Sequence, residues 1–312
     1  MSNLDFAYSV SQGLSSTPRW LDCRYIYDDH GSRLFELICE QPEYYLTRAE
    51  RAILHDAAGE IARLTGPAAL IEFGSGNSTK TQILLNAYAS RYGGVRYIPV
   101  DISDSILERA ERELATTAPL ATVDSFHGSY EDAFHLLHSF SPLVFLFLGS
   151  NVGNLDAAEA ADFWAKISSS LYNGDFCLLG VDITKDPDAL HAAYNDTAGY
   201  SAEFTNNIFA RINRELGASI DIEAIEHVAR YSPDHNRVEI FGKFTAAQQI
   251  HIEPLGHRVR IEEDELVMTE ISRKFRIDDI RSYLEGFGLE TRQVFANSER
   301  TFAVMLLARE KT

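Results

Sequence analysis

The chain has 312 residues, 45% of them hydrophobic, which is enough apolar sequence for one large domain or two interleaved ones and excludes a disordered protein. Its apolar runs stop short of the ~18 residues that mark a membrane span. A formal net charge of −18 with no Lys/Arg cluster argues against a nucleic-acid partner and favours a small cationic or zwitterionic ligand.

The start, Met1-Ser-Asn-Leu-Asp5, lacks the basic and apolar regions of a signal peptide, so a cytoplasmic protein is expected. Cys23, Cys39 and Cys177 are odd in number and lack C-x-x-C spacing, so reduced thiols and no metal site are expected. From about residue 50 helix and strand patterns alternate. A helix over Thr47–Leu64 leads into a strand at Ala69–Phe73, and a helix over Ser78–Tyr88 follows. Val95–Asp101 reads as a second strand and Asp104–Thr116 as a helix. Leu143–Leu148 is a continuous apolar run, as in a central parallel strand covered on both faces. Asp156–Leu171 reads as a helix and Phe176–Asp182 as a further buried strand. This order predicts an α/β fold with a doubly wound sheet. From Asp186 to about Arg260 the rhythm changes to a helix followed by alternating strands, Asn236–Phe244 and, past that point, Val259–Glu270. Crossover logic returns with a helix at Ile277–Gly286 and strands at Glu290–Phe295 and Phe302–Leu307. The simplest topology is a nucleotide-binding fold, residues 49–184 and 275–312, split by a smaller α+β domain, residues 1–48 and 185–274.

The chemistry starts at Glu72-Phe-Gly-Ser-Gly76. A strand, a tight glycine turn and a helix start let backbone approach a ligand and direct free N–H groups at it. Asp101, closing the next strand, is an acid suited to ribose hydroxyls. A dinucleotide fingerprint needs a third glycine where Thr79 stands, and no phosphate-cradling P-loop is present. A short glycine turn with a downstream acid fits S-adenosylmethionine (SAM), which carries no phosphate. The alternative is that Gly74 and Gly76 only close a structural turn.

Two more places carry polar groups at strand ends, where such folds bind ligands. Gly149-Ser-Asn-Val-Gly-Asn154 follows the central strand, and Asn154 either presents an amide to a substrate or helps cap the next helix. In Met268–Ser272, Glu270 and Ser272 project from one strand face. An acid beside a hydroxyl suits a ring with two hydrogen-bonding nitrogens, such as imidazole; a solvated strand face is the alternative.

Several segments together resemble the SAM-dependent histidine Nα-methyltransferases of ergothioneine biosynthesis. They are Tyr27-Asp-Asp-His-Gly-Ser32, Pro42-Glu-Tyr-Tyr-Leu-Thr-Arg48, Glu72-Phe-Gly-Ser-Gly-Asn-Ser-Thr-Lys80, Phe147-Leu-Gly-Ser-Asn-Val-Gly-Asn154, Val181-Asp-Ile-Thr-Lys-Asp-Pro187, Ala192-Ala-Tyr194, Asn213-Arg-Glu-Leu-Gly217 and Thr269-Glu-Ile-Ser-Arg-Lys-Phe275. The resemblance runs from about residue 14 to the end. It implies a Rossmann-like class I methyltransferase sheet with an inserted substrate-binding domain, and a small amino acid as partner. No oligomer is signalled, and a monomer is the default. Gly74, Gly76, Lys80 and Asp101 would contact the cofactor. Asn154 and Tyr194 would hold the amino acid's carboxylate, and Glu270 and Ser272 its imidazole. Tyr44 would lie in the substrate pocket and Tyr27 near the amine, the two candidate catalytic residues. Two positions depart from the family. Gly128-Ser129 stands where an acid commonly meets the adenine amino group, so Ser129 would accept that bond without charge assistance. Ile240 replaces a common pocket methionine with a stiffer branched side chain. A thiolated histidine or a tryptophan or tyrosine derivative is the alternative substrate, and a non-catalytic SAM or amino-acid binder is the alternative class.

Overall fold

Five consecutive buried residues, Leu143–Phe147, form the middle of the main sheet, because helices cover both of its faces. The computed structural model describes residues 3–183 and 186–309. The chain divides into two compact units, Leu46–Lys185 with Arg273–Thr312, and Met1–Tyr45 with Asp186–Ser272.

In the first unit the elements are α1 (Leu46–Thr65), β1 (Ala69–Phe73), α2 (Thr81–Tyr92), β2 (Val95–Asp101), α3 (Asp104–Thr117), β3 (Ala121–Val123), α4 (Tyr130–Leu137), β4 (Leu143–Phe147), α5 (Ala157–Ser170) and β5 (Phe176–Asp182). After the second unit's segment come α6 (Ile277–Glu285), β6 (Leu289–Ala296) and β7 (Phe302–Arg309). The eight-stranded sheet has the order β6-β7-β5-β4-β1-β2-β3, with the short strand Phe126–His127 also on β2. Strands β1 to β5 pair in parallel, and β7 runs antiparallel to both of its neighbours. This is the Rossmann-like class I methyltransferase sheet expected from the sequence. Its strand order reverses beside β1, which places the loops after β1 and β4 at the switch point where such sheets bind ligands. Under one face Phe73, Phe145, Phe147, Phe163 and Trp164 form an aromatic core, with Phe147 and Phe163 stacked at 4.7 Å. Truncating one such ring to Ala costs about 3–5 kcal/mol.

The second unit has a four-stranded sheet, ordered Arg19–Trp20, Leu266–Arg273, Arg237–Phe244, Ile225–Ser232, and a two-stranded one, Gln248–Ile252 with His257–Ile261. The helix Tyr200–Leu216 packs on the larger sheet, where Gly242 leaves room for the Phe209 ring. The helices Asn3–Ser15 and Asp29–Glu40 precede it in the chain.

Two expectations need correction. The single strand expected over Val259–Glu270 is two strands, His257–Ile261 and Leu266–Arg273, parted by a turn in which Asp264 takes a left-handed φ of 63°. The helix expected from Ser78 starts at Thr81, because Ser78 itself has φ 54° inside the glycine loop, and it runs on to Tyr92, where Gly93 ends it in the left-handed region. β3 and α4 have no counterpart among the elements expected from the sequence. Thr184 and Lys185, within the Val181–Pro187 motif, lie outside the described residues.

Candidate active site

In the first unit the glycine loop is tied to β2. The Gly74 and Ser75 amides donate to the Val100 carbonyl at 2.9 and 3.2 Å. Gly74 has φ +70°, and a Cβ there would lie 2.6 Å from Asn151 Nδ2 and 2.7 Å from the Tyr130 hydroxyl. Gly76, φ +52°, has no heavy atom within 4 Å of a Cβ position, so open space lies above its backbone. The Asp101 carboxylate accepts the Gly76 N–H at 2.9 Å and the Ser103 N–H at 3.0 Å, one on each oxygen. Burial raises its pKa, opposed by those hydrogen bonds. With the Ile102 backbone also donating, the carboxylate still has acceptor capacity for a ribose hydroxyl.

Below the loop are three charged groups. Burial pushes Glu72 up to about 7, although Tyr97 and Thr81 donate hydroxyl hydrogens to it. Lys80, at the N-cap position of α2, pairs with Glu50 of α1, whose carboxylate is fully buried. Both Glu50 oxygens also accept the Gly149 N–H, at 2.8 and 3.0 Å. Beyond Gly149 the chain turns through Ser150, φ 59°, into the short 3-10 segment Asn151–Asn154. Gly153 lies against the Arg273 backbone, so closely that a Cβ would be 3.0 Å from its carbonyl oxygen. Asn154 is half-buried at the end of this segment. At the end of β5, Asp182 makes a 2.7 Å ion pair with Lys274, both fully buried.

Ser129 is the N-cap of α4. Its hydroxyl accepts the Asp132 N–H and donates to the Asp132 carboxylate at 2.6 Å, closing a capping box.

The second unit gathers an aromatic group. Tyr27 meets Phe35 and Phe204 edge-on, with centroids 5.7 and 5.2 Å away. Tyr44, buried, meets Phe35 and Tyr194 edge-on, each at 6.1 Å. Burial pushes the Tyr44 phenol well above its ordinary pKa, and the Tyr194, Cys39, Tyr27 and Glu270 side chains lie near enough to add to the rise. The Tyr194 hydroxyl donates to Ser272 Oγ at 2.7 Å. Glu270 and Ser272 share one face of their strand, as the spacing predicts. Ile240 is buried in a small cluster with Leu190, Ala229 and Val238, against which Tyr194 packs, so it meets the site by backing that ring.

Phe35, Phe204, Cys39 and His227 gave no sequence signal. His227 bridges Thr205 Oγ1 at 2.8 Å and the Tyr194 carbonyl at 2.9 Å, and burial lowers its pKa. A neutral ring with the hydrogen on Nε2 satisfies both partners. Only the fold brings Phe35 and Phe204 to Tyr27, Cys39 to Tyr44 and His227 to Tyr194, so periodicity could not have found them.

The donor set fits SAM. Open space over Gly76, a carboxylate at a strand end and an ammonium at the next helix start suit ribose and a zwitterionic tail better than a phosphate. Among the described residues no helix is long and apolar enough to cross a membrane. The sequence matches the family of SAM-dependent, histidine-specific methyltransferases over residues 6–309. It is 35% identical over 300 residues to a histidine N-alpha-methyltransferase of Mycolicibacterium smegmatis, covering 96% of this chain and 94% of that one. A histidine N-alpha-methyltransferase of Mycobacterium tuberculosis is 34% identical with the same coverage. Ergothioneine biosynthesis protein 1 of Neurospora crassa is 34% identical over 219 residues, 66% of this chain and 24% of that protein. The chain therefore belongs to the SAM-dependent, histidine-specific methyltransferase family.

Proposed function

We propose that this protein transfers methyl groups from SAM to the α-amino nitrogen of L-histidine, three times, giving histidine betaine (hercynine), a precursor on the route to ergothioneine. The observation that supports it best is the Glu270–Ser272 pair on one strand face, with Tyr194 hydrogen-bonded to Ser272. Neutral imidazole has one N–H to donate and one nitrogen to accept. Glu270 can only accept when ionised. Ser272 accepts from Tyr194 and is itself a hydroxyl donor, so the pair brings an acceptor and a donor to one strand face. An indole offers a donor and no acceptor, so the pair favours imidazole.

When bound, SAM supplies an electrophilic methyl carbon on a sulfonium. The chain's own residues position and desolvate. Asp101 and the Gly74–Gly76 backbone hold the ribose side, and Lys80 the charged tail. Ser129 meets the adenine amino group. Tyr44 and Ile240 shape the amino-acid side, Asn154 offers its amide to the carboxylate, Tyr194 lines the same side and turns its hydroxyl hydrogen to Ser272, and Tyr27 would lie nearest the amine. Anchoring side chain and carboxylate leaves the nitrogen free to react repeatedly. Transfer stops at three methyl groups because a quaternary nitrogen has no lone pair.

The test is mass spectrometry of the pure protein incubated with SAM and free histidine, thiolated histidines, tryptophan and tyrosine. Gains of one, two and three methyl groups on histidine alone are expected. Methylation of another member would keep the chemistry and overturn the substrate. SAM binding without any product would overturn the enzyme reading.

A further inference from the structure

Glu50 lies outside every motif that pointed to the ligand, yet it is where three parts of the first unit meet. Its side chain is fully buried on α1. It pairs with the Lys80 ammonium at the start of α2 and accepts the Gly149 N–H that opens the loop after β4. It also faces β5, where a Cβ on Gly180 would overlap Glu50 Oε1, so the strand makes room for this carboxylate with a glycine. A buried carboxylate with no pairing role would be costly, and a hydrophobic side chain would fill the space at no such cost.

We propose that Glu50 is a positioning residue of the cofactor site: by fixing the Lys80 ammonium and the Gly149 amide, it holds Lys80 where it meets the carboxylate of the cofactor's amino-acid tail. This rests on the reading of Lys80 as a cofactor contact. The argument from charge is short. The tail's sulfonium and amine are positive, so its carboxylate is the group an ammonium attracts. Lys80 has a long, flexible stem with rotamer entropy to lose, and a fixed counter-charge removes that loss before the ligand arrives. An ammonium has three donors in a compact charge, so it can face Glu50 and a ligand carboxylate together. Gly149 lies on the same side, since a Cβ there would be 3.5 Å from Lys80 Nζ.

The test is the binding ratio of S-adenosylhomocysteine to its decarboxylated analogue, measured by calorimetry on the full-length protein without amino acid. Glu50→Gln keeps the shape and removes the charge. It should lower the ratio about tenfold, the size of one charge-assisted hydrogen bond, with the decarboxylated ligand changed less than twofold. An unchanged ratio, equal losses for both ligands, or tighter S-adenosylhomocysteine binding would overturn the proposal. Glu50→Asp retains the charge but withdraws it by one methylene. It should give a smaller fall in the same ratio and covers the case in which Glu50→Gln does not fold. Lys80→Met tests the underlying reading separately: a normal ratio there removes Lys80 from the tail whatever Glu50 does. In the Lys80→Met background Glu50→Gln should leave the ratio unchanged, and a further fall would show that Glu50 acts elsewhere.

Discussion

Tyr194 donates its hydroxyl hydrogen to Ser272 Oγ at 2.7 Å, joining positions 78 residues apart in the chain. Tyr194 closes the helix Pro187–Ala193, and Ser272 is in the strand Leu266–Arg273. The bond occupies one lone pair of Ser272 Oγ and so orients that hydroxyl. His227 holds the Tyr194 backbone and the Ile240 cluster backs its ring, so the tyrosine is fixed from two sides. Tyr194→Phe should therefore raise the KM for histidine about tenfold, the upper range for a neutral hydrogen bond, with SAM affinity held. Calorimetry with SAM and steady-state kinetics with histidine check this; equal weakening of both would take Tyr194 off the amino-acid side.

Glu270→Ala should weaken histidine use far more than SAM binding. A hydrogen bond to a charged group is worth about 1.5–3 kcal/mol, so the KM for histidine should rise about 10- to 100-fold. The SAM dissociation constant, measured in parallel, should move less than twofold.

Asp101→Asn should do the reverse. The amide cannot accept on both sides, so it loses either the Gly76 N–H or the Ser103 N–H, together with any ribose hydroxyl donating on that side. SAM affinity should fall about tenfold or more, while the histidine KM at saturating SAM stays near normal. Unaltered SAM affinity would remove the ribose assignment.

Glu72 makes the stability depend on pH. Its ordinary value of 4.5 is raised to about 7 in the folded protein by burial. Between those values the folded state binds more protons than the unfolded one, so this group's contribution to stability falls as pH rises. The loss starts near pH 4.5 and is complete above pH 7, on the order of 3 kcal/mol. Glu72→Gln keeps an oxygen to accept from Tyr97 and Thr81 and stays neutral. Its melting temperature should exceed that of the unaltered protein at pH 8, with the gap closing toward pH 5. A gap constant across that range would refute the shift.

Local sequence determined the parts of this protein whose signal is short in range. Apolar periodicity placed β1, β2, β4 and β5, because a strand covered on both faces must be apolar throughout, and Leu143–Phe147 is. The Gly74–Gly76 turn was legible because left-handed backbone demands glycine, and the Glu270–Ser272 face because strand side chains alternate. Periodicity misread the loop edges. Ser78 and Asp264 take left-handed backbone that glycine signals would have marked, and neither is glycine. What only the tertiary structure decided is which distant side chains meet. Glu50 reaches Lys80 and Gly149, and His227 and Ser272 reach Tyr194, through pairings whose partners are scattered along the chain. A polar residue in a helix reads as solvated surface until folding removes its water. Burial then requires a partner, and the fold alone supplies it.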